Sequence, residues 1–245
     1  MNRPRILGIT GGIASGKSEV TRMLADHHAL IIHADQIGHQ VLQSDELRAP
    51  LLALFGNEIL EELTPGSILP SHSQPAINRK KVAQLVFGQS DLAKDRKTKL
   101  EALTHPRIRQ QIRNQIEQAI KDATKVSDPM THATETPTAP PKQTVDWIVL
   151  DIPLLFESSW NCACDVVWFI DASAPNRLAR AQRRGWSEHD FLNREATQWP
   201  TDRKSQLADL VIENNGTLQD LAENVKQALR KSDTFPLRHH LYFPS

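Results

Sequence analysis

The chain has 245 residues, enough to bury a sizeable core, and its 29 Lys and Arg balance 29 Asp and Glu to a formal net charge of zero. That balance sets aside a general nucleic-acid binder, which carries a basic excess, and the two cysteines, Cys162 and Cys164, are too few for a disulfide framework. The apolar run at residues 6–10 is too short for a signal peptide and no window holds the roughly 20 apolar residues of a membrane helix, so a soluble, cytoplasmic protein with reduced thiols is expected.

Residues 5–10 read as a short buried strand, glycines follow at once, and Val20, Met23 and Leu24 then recur at helical spacing. Residues 29–35 form a second apolar run ending in an acid. Between about 36 and 121 lies a long, mostly helical stretch, with helices predicted at 46–55, 78–87 and 106–120 and Pro106 in the first turn of the last. This is too much material for one crossover, and it reads as an inserted helical domain for an acceptor substrate. The segment DATKVSDPMTHATETPTAPPKQT is rich in Thr, Pro and Ala and poor in large apolar residues, so 122–145 is expected to stay disordered and to take no part in catalysis.

Further apolar runs at 146–155, 165–171 and 209–214 complete a set of five. Continuous rather than alternating apolar runs indicate strands covered on both faces, as in a parallel sheet. With helices between them the class is α/β, and with the pattern G-x-x-x-x-G-K-[ST] standing at 11–18 between the first strand and its helix it is a three-layer P-loop NTPase-type fold with a parallel five-stranded sheet, an inserted helical substrate domain and a helical lid. Residues 174–207 are charged and helical, carry Arg177, Arg180, Arg183, Arg184, Arg194 and Arg203, and include a capping-box start at Ser187. A last helix starts at Thr217, with Leu218, Leu221, Val225 and Leu229 as its apolar stripe. The expected organisation is a core of 1–35 and 146–231 with its lid at about 174–207, an insertion at 36–121, the Thr/Pro-rich loop at 122–145, and a tail at 232–245.

Gly11-Gly12-Ile13-Ala14-Ser15-Gly16-Lys17-Ser18 matches G-x-x-x-x-G-K-[ST] in full, with a strand before it and a helix after it. Glycines let backbone N–H groups curl around phosphates, and the helix N-terminus adds a favourable partial charge. Lys17 is expected on the β- and γ-phosphates of ATP and the Ser18 hydroxyl on Mg²⁺. If Ala14 needs φ > 0, its side chain costs about 1 kcal/mol or more.

Four more stretches narrow the acceptor: His33-Ala34-Asp35, Leu103-Thr104-His105-Pro106, the run from Val149 to Glu157 (VLDIPLLFE), and the run from Ala208 to Gly216 (ADLVIENNG). With the phosphate loop, they resemble the dephospho-CoA kinase family in order and spacing, from about Ile6 to Leu229. The resemblance implies ATP-dependent phosphorylation of the 3′-hydroxyl of dephospho-CoA, with that small molecule as partner rather than nucleic acid or membrane, and it leaves the oligomeric state open. It implies Asp35 as the base, Arg180 and Arg184 as lid arginines, and Asn214 and Gly216 beside the adenine of ATP. It further implies Arg79, His105, Pro153, Leu154, Leu155 and Glu157 as substrate contacts. His33 departs from the family pattern, which has an acid there. Asp151, at the end of an apolar run, is the second expected Mg²⁺ ligand.

A kinase for another small acceptor, such as a nucleoside or nucleotide, would share this chemistry. A guanine-reading N-K-x-D stretch is absent, which sets aside a regulatory GTPase. A nucleotide-binding protein without catalysis is the remaining alternative, and Ala14 and His33 are the residues that suggest it.

Overall fold

A computed structural model describes residues 3–62, 75–88, 90–126 and 145–244. The chain divides into two compact units, residues 1–34 with 113–244, and residues 35–112. Among the described residues no helix is long and apolar enough to cross a membrane.

The first unit is built on five parallel strands: β1 (Arg5–Gly11), β2 (Ala29–His33), β3 (Trp147–Asp151), β4 (Val166–Asp171) and β5 (Leu210–Glu213). Their spatial order is β2-β3-β1-β4-β5. The apolar runs are strands because they are covered on both sides. Leu7, Ile9, Val149, Trp168 and Ile170 form one packed core with Val20 and Leu24 of α1 (Lys17–Ala25) and Leu221, Val225 and Leu229 of α9 (Leu218–Ser232). On the opposite face a Cβ at Gly8 would lie 2.7 Å from Cys164 Sγ and 2.8 Å from Leu155 Cδ2, so glycine there admits the cover to the sheet. Cys162 and Cys164 are free, and burial pushes the Cys164 thiol up from its ordinary value.

Strand register aligns the carboxyl ends. Ile9 and His33 both face Asp151, Gly11 faces Ile170, and Asp171 faces Glu213. All but β1 are shorter than the apolar runs. β2 ends at His33 because Ala34 and Asp35 already belong to α2 (Ala34–Leu42), and β3 ends at Asp151 because 152–155 turn away from the sheet. The predicted capping box forms at Ser187 before α7 (Glu188–Glu195), and a second capping box stands at Thr217, the expected start of α9. The remaining helices of this stretch are α6 (Ala174–Arg183) and α8 (Thr201–Leu207).

The second unit holds α2, α3 (Asp45–Phe55), α4 (Arg79–Val86) and the first part of α5 (Asp91–Val126). Gln43 pins Ile77 from both sides: its Nε2 donates to the Ile77 carbonyl at 2.7 Å, and its Oε1 accepts from the Ile77 amide at 3.0 Å. Pro106 does not open a helix; it lies within α5. Its ring removes the N–H that would bond the Ala102 carbonyl, but long helix-forming segments on both sides carry the helix through.

α5 passes from one unit to the other and continues to Val126, through the first residues of the segment expected to be a loop. Gln118 Nε2 bonds Asp122 Oδ1 at 2.9 Å, a one-turn spacing that extends the helix past 121. The rest of the Thr/Pro-rich segment, 127–144, lies outside the described residues.

The tail is docked on the first unit. Arg5 donates to the carbonyls of Asp233 and Phe235, and Phe243 packs edge-on to Trp160 with ring centroids 6.3 Å apart. Asp165 ties both chain ends to the sheet. Its carboxylate accepts two bonds from the Arg3 guanidinium, each 2.7 Å, and one from each of the Ile6 and Arg238 amides at 2.8 Å. Four donors on a carboxylate that is itself buried make its loss costly, because they would be stranded away from water. Asp165→Ala is expected to lower stability by about 3–5 kcal/mol, read as an earlier urea midpoint at unchanged slope; a shift below about 1 kcal/mol would show the tail and Arg3 to be loosely held.

Candidate active site

The loop between β1 and α1 delivers the phosphate-binding pattern. Gly16, at φ 100°, is the residue before α1, and a Cβ there would fall 2.1 Å from Asn214 Nδ2, so both backbone and space require glycine. Ala14 has φ 57° and is 8% exposed, its methyl packed with Ala181 and Phe191. The left-handed conformation anticipated for this position is therefore adopted by an alanine. Lys17 Nζ lies over the loop, donating to the carbonyls of Gly11 and Gly12 at 3.2 and 3.3 Å. Ser18, the second residue of α1, is exposed.

The loop's outward carbonyls are held from α6 and from the end of β5. Asn214 Nδ2 donates to the Ser15 carbonyl at 2.7 Å. Arg180 donates to the same carbonyl at 3.0 Å and to the Asn214 carbonyl at 2.7 Å. Burial, and then the neighbouring cations Arg183 and Arg184, push Arg180 below its ordinary value. Asn214 and Arg180 thus brace the loop, whereas Arg184 is exposed at the C-cap of α6. Gly216 lies close over the α9 cap, where a Cβ would meet Asp220 Oδ2 at 2.6 Å.

At the carboxyl end of β3, Asp151 Oδ2 is 3.0 Å from His33 Nδ1. A carboxylate only accepts, so the ring nitrogen donates. Beyond β3, Leu155 is fully buried under β1, Leu154 is 40% exposed, and Pro153 is half-buried. Glu157 Oε1 pairs with Lys204 Nζ at 2.7 Å and accepts from the Trp199 amide at 2.9 Å. Trp199 stacks parallel to Phe156, and the Arg203 guanidinium lies 3.5 Å from its ring centroid.

In the second unit Asp35 is exposed in the first turn of α2, where a carboxylate complements the helix dipole. His39 stands one turn further along the same face. Arg79, first residue of α4, donates from Nη1 to His39 Nδ1 at 2.9 Å. The ring must accept there, so its proton sits on Nε2. Burial first, and then the Arg79 cation, hold His39 below the usual histidine value, against a smaller upward pull from Asp35. His105 is exposed within α5.

The family model for dephospho-CoA kinase matches residues 5–131 and 128–220. The chain belongs to the dephospho-CoA kinase family. It is 32% identical over 228 residues to the dephospho-CoA kinase of Carboxydothermus hydrogenoformans, covering 92% of this chain and 93% of that one. It is 33% identical over 227 residues to that of Symbiobacterium thermophilum, covering 92% and 80%. A crystal structure of a Thermus thermophilus protein superposes with a TM-score of 0.65 at 26% identity, covering 94% of this chain and 98% of that one. The dephospho-CoA kinase of Campylobacter jejuni shares the fold, with a TM-score of 0.58 at 22% identity over 94% and 97% of the two chains.

Three side chains with specific partners had no signal strong enough to find them in the sequence. Lys204 has no exposed surface and meets Glu157 across 47 positions of chain; nothing in the charged run 201–207 marks it apart from its neighbours. Arg177 is buried in a helix of arginines. His39 sits four residues after Asp35, a spacing that was visible but unremarkable without Arg79 beside it.

Two measurements follow. His39 is expected to titrate below about 6.5, and Arg79→Ala to move its titration upward when followed by NMR. A group with a depressed native value stabilises the fold above its unfolded pKa and loses that contribution as pH falls through the native one, so the Arg79–His39 bond is lost on acidification. No upward move in the variant would mean that burial alone sets the value. Ala14→Gly is expected to change unfolding stability by less than about 1 kcal/mol, because relief of the left-handed backbone is offset by a lost buried methyl and a floppier unfolded chain.

Proposed function

We propose that this chain transfers the γ-phosphate of ATP to the 3′-hydroxyl of dephospho-CoA, giving coenzyme A and ADP. The observation that carries this reading is the complete phosphate loop between β1 and α1, with Lys17 folded over it, in a chain of the dephospho-CoA kinase family.

ATP enters with its phosphates along the loop amides and the N-terminus of α1. Lys17 exchanges the Gly11 and Gly12 carbonyls for β- and γ-phosphate oxygens. Ser18 and Asp151 offer a hydroxyl and a carboxylate, the hard oxygen donors Mg²⁺ takes, and such a cation needs only one or two protein ligands when phosphates supply others. Bound there, Mg²⁺ would neutralise charge on the β- and γ-phosphates. His33 engages one oxygen of Asp151 and leaves the other available to the cation or its water.

The acceptor hydroxyl attacks phosphorus in line; the new O–P bond forms as the bond to the β-phosphate oxygen breaks. Asp35 orients that hydroxyl and takes its proton. Arg184 neutralises charge on the group in flight, while Arg180 and Asn214 keep the loop in shape. The acceptor is assigned to the helical unit, with Arg79 and His105 as its contacts, and to Pro153, Leu154, Leu155 and Glu157. Leu154 is the exposed member of that run, whereas Leu155 also serves as core and Glu157 as the partner of Lys204. We assign the protein to the cytoplasm on the same reading.

Purified protein with ATP, Mg²⁺ and dephospho-CoA is expected to yield coenzyme A, detected by mass, and Lys17→Ala to abolish it in a folded protein. Asp35→Asn should lower kcat by about 100-fold or more with ATP affinity unchanged; equal loss of both would make Asp35 structural. ATP binding without product would redirect the search to nucleoside and nucleotide acceptors.

A further inference from the structure

Arg177, in the first turn of α6, is 6% exposed. Its Nε donates to the Ala172 carbonyl at 3.1 Å, its Nη1 donates to Glu195 Oε1 at the end of α7, and its guanidinium carbon lies 5.5 Å from the Phe191 ring centroid. The remaining side of the guanidinium rests on the phosphate loop. A Cβ built on Gly12 would lie 2.8 Å from Nη1 and 3.1 Å from Cζ of Arg177. The Gly12 carbonyl in turn accepts from the Ser15 amide at 3.1 Å and from Lys17 Nζ at 3.3 Å. One buried cation therefore lies against a residue whose carbonyl accepts from Lys17, and it is anchored to a second helix.

Stability alone does not call for this arrangement. A buried ion pair must offset the desolvation of both charges, and a well-packed apolar pair of similar volume does as well or better. What the pair supplies that apolar residues do not is a directional link: a planar guanidinium bonded to Ala172 and Glu195 is held in one orientation, close against Gly12.

We propose that Arg177 and Glu195 form a positioning pair that sets Gly12, and with it the phosphate loop, and couples that loop to helix α7. Loop geometry and the packing of α7 then change together, and ATP binding reads the state of both. The proposal rests on the phosphate loop binding ATP and is independent of the acceptor.

The test is ATP binding by calorimetry without acceptor, followed by kinetics with dephospho-CoA, on Glu195→Gln, Arg177→Gln, Arg177→Lys and the Glu195→Gln/Arg177→Gln double variant. Measurements are made at a temperature where circular dichroism shows each variant folded. Each single variant is expected to weaken ATP binding about tenfold, and the double variant no further than either single one, because the two residues act as a unit. KM for dephospho-CoA should stay within twofold of the parent. Arg177→Lys should not restore binding, since an ammonium does not reproduce the fork to Ala172 and Glu195. A Cβ at Gly12 would also meet Thr201 Cγ2 at 3.0 Å, so Gly12→Ala should weaken ATP binding in the parent and add less on top of Arg177→Ala, where the closer of the two colliding groups is gone. ATP affinity within twofold of the parent in folded Glu195→Gln, or single effects that multiply in the double variant, would overturn the proposal. So would variants that lower only the melting temperature, which would reduce the pair to a structural brace. These outcomes are separable from a wrong acceptor, which would leave ATP binding intact in every protein and remove only the coenzyme A product.

Discussion

A loop that turns its amides inward to receive phosphates turns its carbonyls outward, and each buried carbonyl needs a donor. In this protein the Ser15 carbonyl meets that need twice, from Asn214 Nδ2 and from Arg180, while Lys17 serves the carbonyls of Gly11 and Gly12. Asn214 approaches so closely that residue 16 has no room for a side chain. The donors come from α6 and the end of β5, segments far along the chain, so the loop takes its working shape only when the sheet has assembled. The parallel order β2-β3-β1-β4-β5 is what makes this possible, because it brings the carboxyl ends of β1, β3 and β4 together at one edge.

Buried ionic groups recur wherever an irregular segment must be attached to that frame. Asp165 gathers Arg3 and the Arg238 amide and so fastens both chain ends. Glu157 and Lys204 join the turn after β3 to α8, with the Phe156–Trp199 stack beside them. Arg177 and Glu195 join α6 to α7 against Gly12. Such pairs contribute little net stability compared with apolar packing, but they fix orientation, and the last two lie next to stretches assigned to substrate or phosphate. The apolar core under the sheet supplies the stability, and the ionic links aim the parts that carry chemistry.

Much of this was legible in the chain. The five apolar runs became the five strands because residues covered on both faces need no polar alternation. The capping boxes at Ser187 and Thr217 formed because cap geometry involves only four consecutive residues. Boundaries were less legible. Pro106 read as a helix start and proved to lie inside α5, since flanking helix formers outweighed one missing hydrogen bond. The turn after β3 read as a continuing strand because Leu154, Leu155 and Phe156 are apolar, whether they extend a strand or fold beneath one.

The fold class, the phosphate loop and the family were all written in short contiguous patterns, and contiguous patterns survive without three-dimensional context. Roles that depend on partners distant in the chain were not. Arg177, Arg180 and Arg184 look alike on one charged helix; contacts separate them, Arg180 bonded to a residue 165 positions away and Arg177 buried on Gly12 while Arg184 stays exposed. Lys204 is indistinguishable from any surface lysine until Glu157 is beside it. His33 reads as a departure from the family's acid until β2 is set against β3, where the same position becomes a donor to Asp151. Periodicity and motif are properties of neighbours in sequence, whereas the charge state and purpose of a side chain are set by its neighbours in space.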